Sequence, residues 1–410
     1  MNSSNDNDVK RSGHRIHVPK LSKFLVIVVI GCFMISLFIN VSIVLMKPER
    51  QNPFDMLWNS ISFAADRNGI GHYVPSPMER YLIDTANVSF TGNTNTTMSS
   101  GCLLWNDISS NNALHETTQT YLKELEVFAD LNSKVSVNFK DIRDEIFSSD
   151  GNVIRNQAEV CRSLRVSHDG LPGIFKSGEL SKMSTGEYVE PLYPPLRHPK
   201  FCTEGNKYTL NLSFIVHDFE YMCQQLKPRS RTILLDMGAS LDFHAGDTMP
   251  AVYLMKEYKR FGFKFDHIYA FEITQAEPKH VFEKVPDEFF PAYHWINVGV
   301  SPDSTSKLNP LVSILKTFNE DDLIVVKLDV DTCSVELPLV NQILKDKSLS
   351  NLIDQFYFEY HIYMKEIYPS FKRGLGRDER SGGCKKSSVK DSLDLFHNLR
   401  KNGVTSHFWV

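Results

Sequence analysis

The stretch Thr232-Ile-Leu-Leu-Asp-Met-Gly-Ala-Ser240 decides how this chain is read. An apolar run meets an acid and then a glycine turn, the way a buried parallel strand runs out into a ligand-binding loop. Gly238 has no Cβ, so the backbone there can turn sharply and approach a ligand closely. Asp236 is placed at the carboxyl end of the strand, where open α/β sheets bind their ligands.

The same rhythm continues to the end of the chain. Apolar strands are predicted over 232–236, 267–272, 293–300, 323–329, 355–361 and 405–409, with helices over 248–261, 275–285, 308–318, 333–346 and 389–402. Strands and helices in alternation predict an α/β domain with a doubly wound, Rossmann-like, mostly parallel sheet. The strands are near-continuous apolar runs, as expected when both faces of a sheet are covered.

Each later strand ends on residues suited to chemistry. The second runs out at Glu272, and a carboxylate there can accept hydrogen bonds from both hydroxyls of a ribose; the bland alternative is a surface or capping acid. The fourth is Asp322-Leu-Ile-Val-Val-Lys-Leu-Asp-Val-Asp331. Asp329 and Asp331 share a side if the strand stays extended, and such a pair can hold a divalent cation or act as a general base. Asp331 can equally be the N-cap of the helix beginning near Thr332. Lys327 is positioned to neutralise one carboxylate. The fifth strand ends Phe358-Glu-Tyr-His361, and His361 titrates near neutrality, as a base for an acceptor hydroxyl would. The loop 371–386 carries six basic and two acidic residues among glycines, a pattern for a lid over an anionic acceptor or for a solvated loop.

Ahead of this domain, residues 24–46 form a 23-residue run without charge. At ~1.5 Å per residue it spans roughly 35 Å, enough for a bilayer core, so a single transmembrane helix is expected. Lys10, Arg11, Arg15, Lys20 and Lys23 precede it, whereas only Lys47 and Arg50 closely follow. The positive-inside rule then keeps residues 1–23 as a cytosolic tail and sends the rest into the lumen, a type II arrangement expected in the Golgi or ER membrane. Six cysteines lie beyond the span: Cys102, Cys161, Cys202, Cys223, Cys333 and Cys384. An oxidising compartment allows them to pair, in a pattern that spacing leaves open. Sequons at Asn87, Asn95 and Asn211 agree with a lumenal glycoprotein. Residues 47–112 are expected to be a stem of low order, 113–229 a helical and irregular region, and 230–410 the catalytic domain. The net charge of −4 gives no argument for a nucleic-acid partner.

These motifs together resemble the FkbM-like family of S-adenosylmethionine-dependent methyltransferases. Leu235-Asp-Met-Gly-Ala-Ser240 is similar to the family's first motif, Glu272 to its ribose-binding acid, and Asn297-Val-Gly-Val-Ser301 to the segment after its third strand. Val326-Lys-Leu-Asp-Val-Asp-Thr-Cys-Ser-Val-Glu336 resembles its most specific signature, and Leu399-Arg-Lys-Asn-Gly403 with His407-Phe-Trp409 its ending. The chain departs from the family's pattern at Asp242 and at Asp331-Thr332. The resemblance covers about 230–410. It implies an O-methyltransferase acting on a hydroxyl of a glycan or glycolipid. S-adenosylmethionine would be held by Asp236, Gly238, Ser240, Glu272 and Asp329, with Asp331 and His361 catalytic and no metal. Two other functions fit the same residues: a manganese-dependent Golgi-type glycosyltransferase using Asp329-Val-Asp331, and a catalytically inactive methyltransferase-like membrane protein.

Overall fold

Three helices lead the fold, α1 (Pro77–Ser89), α2 (Gly101–Ser110) and α3 (His115–Lys134), and α4 (Phe219–Gln225) follows irregular chain. The alternating part then runs β1 (Thr232–Met237), α5 (Pro250–Arg260), β2 (His267–Phe271), α6 (Pro278–Lys284), β3 (Tyr293–Ile296), β4 (Leu323–Leu328), α7 (Cys333–Lys345), β5 (Gln355–Phe358), α8 (Val389–Lys401) and β6 (Thr405–Phe408). The computed structural model describes residues 73–89, 101–138, 141–166, 171–175, 179–241, 249–360, 362 and 388–410.

The six strands form one sheet in the order β3-β2-β1-β4-β5-β6, and every neighbouring pair is parallel. The order reverses between β1 and β4. With right-handed crossovers, that reversal sends helices to both faces and opens a crevice at the carboxyl ends of β1 and β4. All residues of β1, β4, β5 and β6 are buried, which their Ile, Val, Leu and Phe content makes favourable. Local signals agree with the helix starts: Pro250 and Pro278 occupy first-turn positions, and Ser388 with Asp391 forms a capping box for α8.

Each of the six predicted strands is present, although several stop short of the predicted end. The predicted helix 308–318 is only two short turns, Pro310–Ser313 and Leu315–Thr317. The stretch read as a low-order stem is partly folded, because α1 and α2 lie within it. Met78, Leu82, Cys102, Trp105 and Ile108 are buried in the core, a few anchors that a Ser-, Thr- and Asn-rich composition conceals. The boundary expected near residue 230 is also absent, since Ile70–Val410 is one compact unit. Buried polar contacts join the two regions. His217 meets the Tyr357 hydroxyl at 2.6 Å, and Glu187 accepts from Gln355 at 2.6 Å and from Thr405 at 2.5 Å. The Arg400 guanidinium is saturated by Glu190 O, Glu190 Oε1, Ser406 O and the Tyr73 hydroxyl. The predicted membrane span 24–46 and the tail before it lie outside the described residues. Among the described ones, no helix is long and apolar enough to cross a membrane.

Two disulfides staple the leading region, Cys102–Cys202 and Cys161–Cys223, and Cys333 is disulfide-bonded as well. The two staples close loops of 100 and 62 residues. By the loop-closure model each contributes about 4–5 kcal/mol. A reductant is therefore expected to lower the urea unfolding midpoint of the full chain, followed by circular dichroism. An unchanged midpoint in a sample whose thiols titrate as free would contradict this.

Candidate functional site

The turn after β1 is built by a glycine that nothing else could replace. Gly238 has φ +95°, and a Cβ placed there would lie 1.6 Å from the Asp329 carbonyl oxygen. That approach lets the β1 and β4 tips close on each other: Asp329 N–H donates to Met237 O at 2.8 Å. The Gly238 and Ala239 N–H groups both donate to Phe271 O, at 3.0 and 2.8 Å, which ties the turn to β2.

Beneath the turn, Asp236 and Lys327 face each other in register on β1 and β4, both wholly inaccessible to solvent. The Lys327 ammonium reaches Asp236 Oδ1 at 3.2 Å, Asp329 Oδ2 at 3.0 Å and Gly238 O at 3.0 Å. An ammonium has three donors, and here three acceptors take them. Burial alone would lower the Lys327 pKa, but the two carboxylates outweigh it and hold the group charged, well above its ordinary value. Asp236 is pushed up by burial against the pull of Lys327. Burial also drives the Asp329 carboxyl well up; Lys327 opposes this, and Glu359, hydrogen-bonded to Asp329, adds to it.

Above this floor lies a cavity of about 300 Å³, at the switch point of the sheet. Gly238, Ser240, Glu272, Asp329, Asp331 and Thr332 supply its polar wall, and Phe271, Ile273, Val298, Val300, Val330 and Val335 its apolar one. Among these lining residues there is no lysine, arginine or histidine. A second cavity of about 430 Å³ shares Ser240, Glu272 and Thr274 with it and continues to His280 on α6.

The structure thus gathers Gly238, Ser240, Glu272, Asp329 and Asp331 around one space. Asp236 is not on its wall; it faces inward one residue before the strand ends and braces Lys327. Asp331 reaches the cavity by another route than an extended strand. The strand stops at Leu328, and Asp331 adopts φ +54°, a left-handed conformation rare outside glycine. The N-cap of α7 is Thr332, whose side chain makes no capping bond, so Asp331 is not the cap. His361, Asp242 and the basic loop 371–386 lie outside the described residues.

Three residues given no role in the sequence reading hold this wall. Glu336, fully buried in the first turn of α7, accepts from Val330 N–H at 3.1 Å and fixes the segment between the two aspartates. Asn297 donates to Glu272 O and Thr274 O, both at 2.8 Å, and accepts from Ala276 N–H, pinning the loop that carries Glu272. Glu359 leaves β5 with its backbone N–H on Leu328 O at 3.1 Å and lies beside Asp329. Asp329, Asp331 and Glu359 offer carboxylate oxygens within 4.8 Å of one another. An acid in the first turn of a helix was a usable signal for Glu336; Glu359 becomes significant only once β4 and β5 are paired.

Replacing Lys327 with methionine is expected to strand two buried carboxyls. The anticipated loss is about 3–5 kcal/mol of unfolding free energy, the range for breaking a buried ion pair by removing one partner. Urea titration of the variant checks this, and a loss below about 1 kcal/mol, the range of an exposed pair, would show that Lys327 does not brace the site. Compared with known proteins, the chain matches no family model, no curated relative and no solved structure.

Proposed function

We propose that the chain is an S-adenosylmethionine-dependent O-methyltransferase acting on a glycan or glycolipid hydroxyl in the secretory lumen. The observation that carries this reading is the sign of the cavity wall. A crevice at the switch point of such a sheet is a nucleoside-binding position. Here the ionisable residues of the lining are all carboxyls, Glu272, Asp329 and Asp331, and Lys327, the cation that Asp329 meets, lies beneath the floor with its donors already taken. A dinucleotide would bring a pyrophosphate against Glu272, Asp329 and Asp331, which Coulomb repulsion opposes. A nucleoside bearing a sulfonium and an ammonium meets complementary charge instead.

The residues present fit that group. Glu272 accepts from the ribose hydroxyls, the valines and Ile273 cover a flat apolar ring, and Gly238 lets the β1 and β4 tips close together beside the ligand. S-adenosylmethionine supplies an electrophilic methyl group when bound. Asp331 takes the proton that the acceptor hydroxyl loses, and the strand tips hold the reactants in line. His361 was read as a second base at the same edge. The FkbM-like motifs support this function, and the disulfides suit an oxidising lumen.

A second reading has its own observation. Asp329, Asp331 and Glu359 are close enough to hold a divalent cation. A manganese-dependent glycosyltransferase would use them to neutralise a nucleotide diphosphate. It ranks lower because the cavity wall supplies no cationic side chain of its own for that diphosphate.

Calorimetry on the full chain separates the two. S-adenosylmethionine and S-adenosylhomocysteine are expected to bind, and Glu272→Ala to weaken both at least roughly tenfold through the lost charged hydrogen bonds. Failure of both to bind, alongside manganese-dependent hydrolysis of nucleotide sugars, would reverse the ranking. The pH dependence is a further check. Because the Asp329 carboxyl is raised in the fold, its ionised form increases as pH climbs, and only that form attracts a cation. As pH rises above the ordinary carboxylate range, S-adenosylmethionine should therefore gain affinity relative to its neutral-sulfur product. The same raised carboxyl favours the folded state at low pH, and that contribution is lost as pH rises.

A further inference from the structure

Arg197 comes from the proline-rich stretch 190–199 and is almost wholly buried, at 9% exposure. Its nearest ionic partner is Glu359 Oε1, 3.8 Å from a terminal guanidinium nitrogen and too far for a hydrogen bond. Its Nε, shut off from solvent, has no hydrogen-bond partner. Glu359 is not committed to it, since that carboxyl also hydrogen-bonds Asp329. The contrast with Arg400 is instructive. That guanidinium, wholly buried, donates to two backbone carbonyls, a carboxylate and a tyrosine hydroxyl. A structural arginine in this fold is saturated, and Arg197 is not. Buried guanidinium donors normally find acceptors.

The segment is also fixed on both sides. The Gly101 backbone packs so closely on Pro194 that a Cβ there would lie 2.1 Å from its carbonyl oxygen. Trp105 packs against Tyr193 with ring centroids 5.4 Å apart and planes tilted by 52°, and Cys202 is tied to Cys102. Leu196 is held at φ 53°, so the backbone turns sharply just before Arg197. The fold therefore presents a rigid, under-used cation beside Glu359, whose carboxylate lies with those of Asp329 and Asp331.

We propose that Arg197 anchors an oxyanion on the acceptor: a carboxylate, sulfate or phosphate group bound through the planar N–H edge of its guanidinium. It deepens the function proposed above by naming the acceptor class, and rests on it only in calling the bound molecule an acceptor. The cationic donor then meets Glu272, Asp329 and Asp331, and the anionic acceptor meets Arg197 behind Glu359.

The test titrates the full chain, without cofactor, with sodium glucuronate, sodium sulfate and sodium methyl phosphate, each against sodium chloride at equal ionic strength. Calorimetry is the readout. At least one of the three is expected to saturate at one site, and the one that binds most tightly identifies the source of the oxyanion. Arg197→Met is expected to weaken that binding roughly tenfold or more, with Arg197→Lys recovering part of it for the tetrahedral ions and less for the planar carboxylate. Glu359→Gln, which removes the competing charge and keeps Arg197, should tighten it severalfold; this variant decides the matter if Arg197→Met does not fold. Binding no better than chloride, indifference to Arg197→Met, or no tightening in Glu359→Gln would each overturn the proposal. S-adenosylhomocysteine is titrated in parallel. Its failure to bind counts against the methyltransferase and leaves the oxyanion result standing.

Discussion

A single ammonium group holds the centre of this molecule together. Lys327 is wholly buried, and its three protons go to Asp236, Asp329 and the Gly238 carbonyl. Those acceptors belong to the end of β1, the start of the loop after β4 and the turn between β1 and α5. The arrangement also leaves a surplus. Two carboxyls surround one cation, so the floor of the cavity carries no spare positive charge, and the wall above it adds Glu272 and Asp331. The charge that selects the ligand and the contact that closes the sheet are consequences of the same pair of strands.

From this follows a division of labour among the acids. Asp236 sits below the cavity and acts on it only through Lys327. Asp329 belongs to both layers, with one face on Lys327 and another on Glu359. Glu272 and Asp331 are supported from behind by Asn297 and Glu336, each through backbone rather than through the functional carboxylate. Supporting the chain from behind fixes where a site's carboxylates stand before a ligand arrives.

The sheet was legible in the sequence because period and length determine it: six apolar runs at regular intervals, each bounded by turn residues, became six parallel strands. Glycine at 238 was legible for the same reason, since a turn after a buried strand demands it. The depth of a side chain was harder to read. Asp236 looked like a wall residue, and one position along the strand was enough to place it beneath the wall instead. Asp331 looked extended, and the left-handed turn that brings it round depends on Glu336 gripping Val330, a contact six residues apart in the chain. Glu359 and Arg197 were beyond reach altogether. Their meeting needs β5 beside β4 and the proline-rich segment folded over both, and no local pattern announces either.

That last contact changes how the leading region is understood. Read as a low-order stem over 47–112 and a helical, irregular region over 113–229, this part of the chain had no share in the site. In the structure these residues bury Glu187, Glu190 and His217 against β5 and β6, and they carry Arg197 to Glu359. A chain cut near residue 230 would lose the partners of His407, Arg400 and Tyr357, all of them buried. It would leave Arg400 with Ser406 O alone, His407 with Gln355 and Tyr357 with Tyr258, so each of these buried groups would lose part of its hydrogen bonding. The sheet and the disulfide-stapled chain before it therefore share buried polar contacts that neither completes alone.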